Sequence, residues 1–234
     1  MSRETDALRH AVEQVRASEA PTARLITATP AVGSLAVMPG AYNPPTRAHL
    51  ALADAARDRG FGAVLFSLGT VTLDKRETGL ALQERLQLLA EIAEGRERLG
   101  VVLQNRGLYA EQAEALQALP GVDDLTFVVG MDKIEQIFDP GYYRDFAGAL
   151  ECLFARARFL VAARGDLDRR AFEARLAAEP ARRFADRIDW LGLNPRWRPL
   201  SASAVRERLA RGEVPSEWLP EPVERYLRRR GPIF

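Results

Sequence analysis

Two short stretches of the chain hold residue types suited to phosphate. The first is Gly40-Ala41-Tyr42-Asn43-Pro44-Pro45-Thr46-Arg47-Ala48-His49-Leu50. Gly40 lets backbone pass close to a ligand, because no Cβ intrudes. Two prolines stiffen the loop, and Pro45 biases Pro44 toward an extended conformation. Thr46 suits a helix N-cap, which puts His49 at the third helical position, one turn later. Unpaired N–H groups at a helix start favour an anion, phosphate above all. The second stretch is Leu200-Ser201-Ala202-Ser203-Ala204-Val205-Arg206. Ser201 or Ser203 can cap the helix that follows, and Arg206 offers a charge-assisted fork to phosphate oxygens. Each stretch alone is also an ordinary capped helix; their pairing points to a polyphosphate.

The elements that must position them are legible from apolar runs. Short runs occur at 35–38, 63–66, 101–103, 125–129 and 159–162, with a sixth at 187–190. Helical stretches fall between them at about 47–59, 81–93 and 111–119, the second with Leu82, Leu86, Leu89 and Ile92 turned inward. Strands alternating with helices predict βαβ units and a doubly wound, Rossmann-like parallel sheet of the α/β class, with helices on both faces. Ligands in such sheets bind beyond the carboxyl ends of the strands, near the switch point. Residues 1–30 read as an N-terminal extension outside the main fold, with an amphipathic helix over about 4–17 carrying Leu8, Ala11, Val12 and Val15 on one face. That helix has the form to pack on its own core or on a second copy in a homo-oligomer. Residues 31–200 form the expected core, and residues 201–234 a closing helical segment.

Composition narrows the classes further. The chain has 234 residues, 47% hydrophobic and 28% charged, with a net charge of +1. No run approaches the ~20 apolar residues of a membrane span, and the mixed-charge start shows no secretory signal. Residues 1–150 carry net −5 and residues 151–234 net +6, but no basic run is interleaved with aromatics, so neither nucleic acid nor a membrane is an expected partner. The one cysteine, Cys152, fits a reducing, cytoplasmic setting and is expected to be a buried helix residue. Of 33 basic residues only Lys75 and Lys133 are lysines, which singles out Lys75 in the long loop after the second run. Gly130 and Asp132 follow the fourth run, where a carboxylate can accept from a ribose; an Asp N-cap is the plain alternative. Arg164 follows the fifth run, and Arg85 reads as a helix-surface or structural charge.

The two motifs resemble those of the nucleotidylyltransferase superfamily, and the Asn-Pro, Thr and His-Leu form is most similar to its nicotinamide and nicotinate mononucleotide adenylyltransferases. That resemblance spans roughly residues 34–230. It implies that Thr46, His49 and Arg206 act on the ATP phosphates, with His49 at the α-phosphate. It further implies that Gly40, Tyr42, Asn43, Gly130, Asp132, Arg164, Ser201 and Ser203 bind ATP, and that Ala41, Lys75 and Tyr142 face a pyridine mononucleotide acceptor. Magnesium is expected to arrive on the ATP phosphates, since no metal-ligand cluster is visible. Pro39, Ala41, Tyr142 and Tyr143 depart from the family pattern on the acceptor side. Another phosphorylated acceptor such as phosphopantetheine, CTP as donor, a nucleotide-binding regulator without turnover, and a fragment of an aminoacyl-tRNA synthetase remain alternatives.

Overall fold

The protein is described from a computed structural model over residues 3–27, 33–71, 79–163 and 165–231. Lys75 and Arg164 lie outside the described residues. Six strands run parallel: β2 (Gly33–Pro39), β3 (Ala63–Gly69), β4 (Leu99–Gln104), β5 (Val122–Val129), β6 (Ala157–Ala162) and β7 (Ile188–Leu191). A further strand, β1 (Ala23–Leu25), joins antiparallel to β4 and completes the order β1-β4-β3-β2-β5-β6-β7. Within it, β4-β3-β2-β5-β6-β7 is the doubly wound order, whose direction reverses between β2 and β5. The expected α/β, Rossmann-like class holds.

The strands read as continuous apolar runs because both faces are covered. Alternate residues of β3 go to opposite layers: Val64, Phe66 and Leu68 to one, Ala63 and Leu65 to the other. The first layer contains α1 (Arg3–Ala17), α2 (Arg47–Arg57), α3 (Leu82–Ala93), α8 (Ala202–Ala210) and α9 (Glu221–Arg230). The second contains α4 (Tyr109–Gln117), α5 (Met131–Ile137), α6 (Phe146–Arg156) and α7 (Arg169–Leu176).

Two expectations change here. The N-terminal segment is built into the fold: β1 extends the sheet, and α1 packs on α3 with Val12 and Val15 buried in the first layer. The amphipathic face is therefore spent on the chain's own core. Cys152 lies on a helix, as expected, but is exposed. Leu150, Leu153 and Phe154 form the inward stripe of α6, and at ~100° per residue Cys152 falls on the opposite side. The closing segment is anchored by Leu219, Val223 and Leu227 in the first layer and by Arg47 Nε donating to the Leu219 carbonyl at 2.9 Å. Among the described residues no helix is long and apolar enough to cross a membrane.

The packing of α1 makes a stability prediction. Val15→Ala removes two buried methyl groups, about 2 kcal/mol with the cavity included, and lowers the melting temperature by roughly 4–8 °C. An unchanged melting curve would mean that α1 is detached in solution.

Candidate functional site

The loop after β2 is gripped from several sides. Gly40 N–H donates to the Ser67 carbonyl at 3.1 Å, and Arg85 Nη1 donates to the Ala41 carbonyl at 2.9 Å. Arg85 is only 4% exposed, so of its two expected readings the structural one applies and the helix-surface one does not. Tyr42 sits at φ +48°, a left-handed conformation that costs a bulky residue about 1–2 kcal/mol. Its ring offsets that by burial, packing edge-on against Phe66 at 5.4 Å and His49 at 4.9 Å, while its hydroxyl donates to the Met38 carbonyl. Burial holds that hydroxyl far above the ordinary tyrosine range. The need for glycine at 40 comes from the same ring: a Cβ there would lie 3.0 Å from Tyr42 carbons.

Thr46 caps α2 as expected, and the cap is reciprocal. Its hydroxyl accepts from the His49 N–H at 3.4 Å, and its own N–H donates to His49 Nδ1 at 3.0 Å. A backbone N–H only donates, so Nδ1 is an acceptor and the neutral ring carries its proton on Nε2. At 1% exposure, Thr46 stands behind His49 rather than on the cleft wall. Asn43 also supports from behind, its Oδ1 accepting from Leu80 N–H at 3.0 Å.

Arg206 joins the two motifs. Its Nη1 donates to the Asn43 carbonyl at 2.8 Å and its Nη2 to Ser203 Oγ at 2.9 Å. Ser201, not Ser203, is the N-cap of α8, accepting from Ala204 N–H at 3.1 Å. Two helix starts and one guanidinium thus converge on one place at the β2–β5 switch, a strongly electropositive arrangement.

These groups line a cleft of about 540 Å³, within the usual range for small-ligand sites. Gly40, Ala41, Tyr42, His49, Gly130, Asp132, Tyr142, Ser201, Ser203 and Arg206 all face it. Gly130 is the N-cap of α5 without a side-chain cap bond, so Asp132 lies in the first turn of that helix rather than at its cap. Its carboxylate also faces Tyr109, whose hydroxyl is held well above its ordinary range by burial first and by Asp132 second. The large hydrophobic side chains that stay exposed among the described residues, Val71 at 50% and Tyr142 at 44%, both line the cleft.

The sequence reading did not single out Tyr109, Gln104 or Gln112, which also line the cleft. Gln104 ends an apolar strand, where the carboxyl-end rule for ligand sites applies. Arg85 follows Leu82 by three residues, on the inward stripe of α3, and that spacing was the available signal for its burial.

Known proteins resemble the chain in sequence and in fold. A family model described as "Cytidylyltransferase-like" matches residues 37–208. A Bordetella pertussis protein named "Probable nicotinate-nucleotide adenylyltransferase" is 28% identical over 200 residues, covering 84% of this chain and 95% of that protein. A Bordetella parapertussis protein of the same name is 27% identical over 207 residues, with the same coverage. The solved structure of Plasmodium falciparum nicotinic acid mononucleotide adenylyltransferase, complexed with NaAD, shares the fold with a TM-score of 0.62 at 16% identity, covering 85% of this chain and 96% of that one. The matched region runs from the strand that delivers Gly40 to the helix that carries Arg206, and the chain belongs to the Cytidylyltransferase-like family.

Proposed function

We propose that the chain is an adenylyltransferase that moves AMP from ATP onto nicotinate or nicotinamide mononucleotide and releases pyrophosphate, the chemistry of NAD biosynthesis. The observation that carries this reading is the convergence of His49 and the Arg206–Ser203 pair on one cleft at the β2–β5 switch. The names of the Bordetella relatives, over nearly their full length, support the pyridine acceptor, and the exposed apolar side chains of Val71 and Tyr142 in the cleft wall suit an aromatic guest.

In the proposed reaction an acceptor phosphate oxygen attacks the α-phosphorus, a new P–O bond forms, and the bond to pyrophosphate breaks in line. The attacking oxygen is already anionic, so no general base is required. Catalysis then lies in positioning and charge neutralisation, as in phosphoryl transfer generally. His49 donates from Nε2 to the α-phosphate as charge grows there, with Thr46 and Tyr42 holding the ring. Arg206, Ser203 and the start of α8 receive the departing pyrophosphate. Asp132 takes the ATP ribose. Ala41, Tyr142 and Lys75 belong to the acceptor side, and Arg164 to the nucleotide side. Among the described residues no group of three or more His, Cys, Asp or Glu gathers, and Asp132 is the carboxylate of the cleft wall. This donor set fits magnesium carried by the nucleotide phosphates, where it would neutralise their charge while keeping most of its waters.

Two substitutions test the reading. His49→Ala is expected to lower turnover at least ~100-fold in pyrophosphate release from ATP-magnesium with either mononucleotide. A near-normal rate would remove His49 from the mechanism. Arg206→Lys keeps the charge but cannot hold Asn43, Ser203 and a phosphate with one planar fork. It is expected to reduce kcat/KM by roughly 10–100-fold, and an unaltered value would contradict the bridging role.

A further inference from the structure

β1 enters the sheet antiparallel to β4, with its first residue, Ala23, opposite Gln104, the last of β4. The connector from α1, residues 18–22, therefore arrives at the carboxyl edge of the sheet, where a doubly wound fold binds its ligands. There it meets the β4–α4 loop. Arg106, Gly107 and Leu108 of that loop line the cleft, as does Tyr109 at the start of α4.

Asn105 clasps the connector to the loop. It is 3% exposed, and its amide turns back to the connector at both ends. Oδ1 accepts from the Thr22 N–H at 2.8 Å, and Nδ2 donates to the Ser18 and Ala20 carbonyls, each at 2.9 Å. A backbone N–H only donates and a carbonyl only accepts, so this amide has one orientation. The Asn105 N–H also donates to the Thr22 carbonyl at 3.3 Å. Arg106 adds a strap, its Nη2 donating to the Glu19 carbonyl while Nε faces Glu111 of α4 at 3.4 Å. The connector is shaped from within as well. The Ser18 and Thr22 hydroxyls lie 2.6 Å apart, and both are within hydrogen-bond reach of the Ala20 carbonyl. One side of the loop is thus cleft wall and the other is bound to residues 18–22, which precede the family match that begins at residue 37.

We propose that Asn105 is a positioning residue through which the N-terminal segment sets the cleft wall from Arg106 to Tyr109, and with it the fit of the acceptor mononucleotide. This rests on the adenylyl-transfer reading above. In that reading the ATP phosphates lie at the β2–β5 switch. β4 is two strands away from β2, roughly 10 Å, so slack in this wall acts on the acceptor rather than on the triphosphate. A site whose supporting contacts are loosened by about an ångström loses much of its fit.

The test measures kcat and both KM values for pyrophosphate release in the wild type, Asn105→Ala and Val15→Ala. The acceptor is nicotinate or nicotinamide mononucleotide, whichever the wild type uses faster. Asn105→Ala is expected to raise KM for the mononucleotide at least ~5-fold, with kcat and KM for ATP-magnesium within about twofold of wild type. Val15→Ala loosens α1 without touching the clasp, so it keeps the wild-type KM although it melts earlier. A purely structural role would lower the melting temperature and the active fraction, and so the apparent kcat, and leave KM where it was. An unchanged mononucleotide KM in Asn105→Ala overturns the proposal, as does an equal rise in Val15→Ala. Should Asn105→Ala fold poorly, the double variant Ser18→Ala with Thr22→Val slackens the connector at residues that do not line the cleft. It is expected to raise the same KM at least ~2-fold, and no rise overturns the proposal. Wild-type release with neither mononucleotide defeats the adenylyl-transfer reading and this proposal with it; wild-type release with indifferent variants defeats this proposal alone.

Discussion

The bridge from Arg206 to the Asn43 carbonyl and Ser203 Oγ is the constraint on which the site depends. It ties a loop after the first parallel strand to a helix 163 residues later, with one charge-assisted hydrogen bond worth roughly 1.5–3 kcal/mol. Without it, the starts of α2 and α8 would be two separate anion sites of modest strength. With it, they face one cleft together, as the proposed polyphosphate site requires. In the proposed reaction the same guanidinium is both a structural tie and a ligand for charge that develops on the leaving group, so the fold and the chemistry would share one residue.

Behind the bridge runs a short hierarchy that fixes His49. The Met38 carbonyl takes the Tyr42 hydroxyl, the Tyr42 ring meets the edge of the imidazole, and Thr46 holds Nδ1. Gly40 is glycine because the Tyr42 ring crosses over it. The positive φ of Tyr42 is thus held in place by its contacts with Met38, Phe66 and His49, the last of which also sets the orientation of the imidazole. Arg85, buried under the same loop, fixes Ala41, and Leu80 N–H holds the Asn43 side chain. Such support is how a catalytic group is kept within a fraction of an ångström of productive geometry.

Much of this was legible in the sequence for a physical reason: the phosphate groups are local motifs. Thr46 and His49 lie within one helical turn, as do Ser203 and Arg206, so spacing alone places each pair on one face. The parallel strands announce themselves because both faces are buried and the runs are uninterrupted. What the sequence hid depends on contacts between distant segments. β1 is three residues long and is defined only by its pairing with β4. The exposure of Cys152 follows from which side of α6 meets the sheet. Arg85 and Gln112 are polar residues on inward helix faces, and their burial becomes meaningful only when the cleft beside them is seen. The burial of Thr46 and the hold of Leu80 and Arg206 on Asn43 are likewise tertiary facts.

The proposed reaction is direct transfer at the α-phosphorus of ATP, with no covalent enzyme intermediate. Its most direct test is a single-turnover chase of ATP labelled at the α-phosphate, mixed with enzyme, magnesium and the pyridine mononucleotides. The account predicts that label passes straight into the dinucleotide, with one pyrophosphate formed for each label transferred and none left on the protein. Label retained on the protein, or inorganic phosphate and ADP as products, would contradict it.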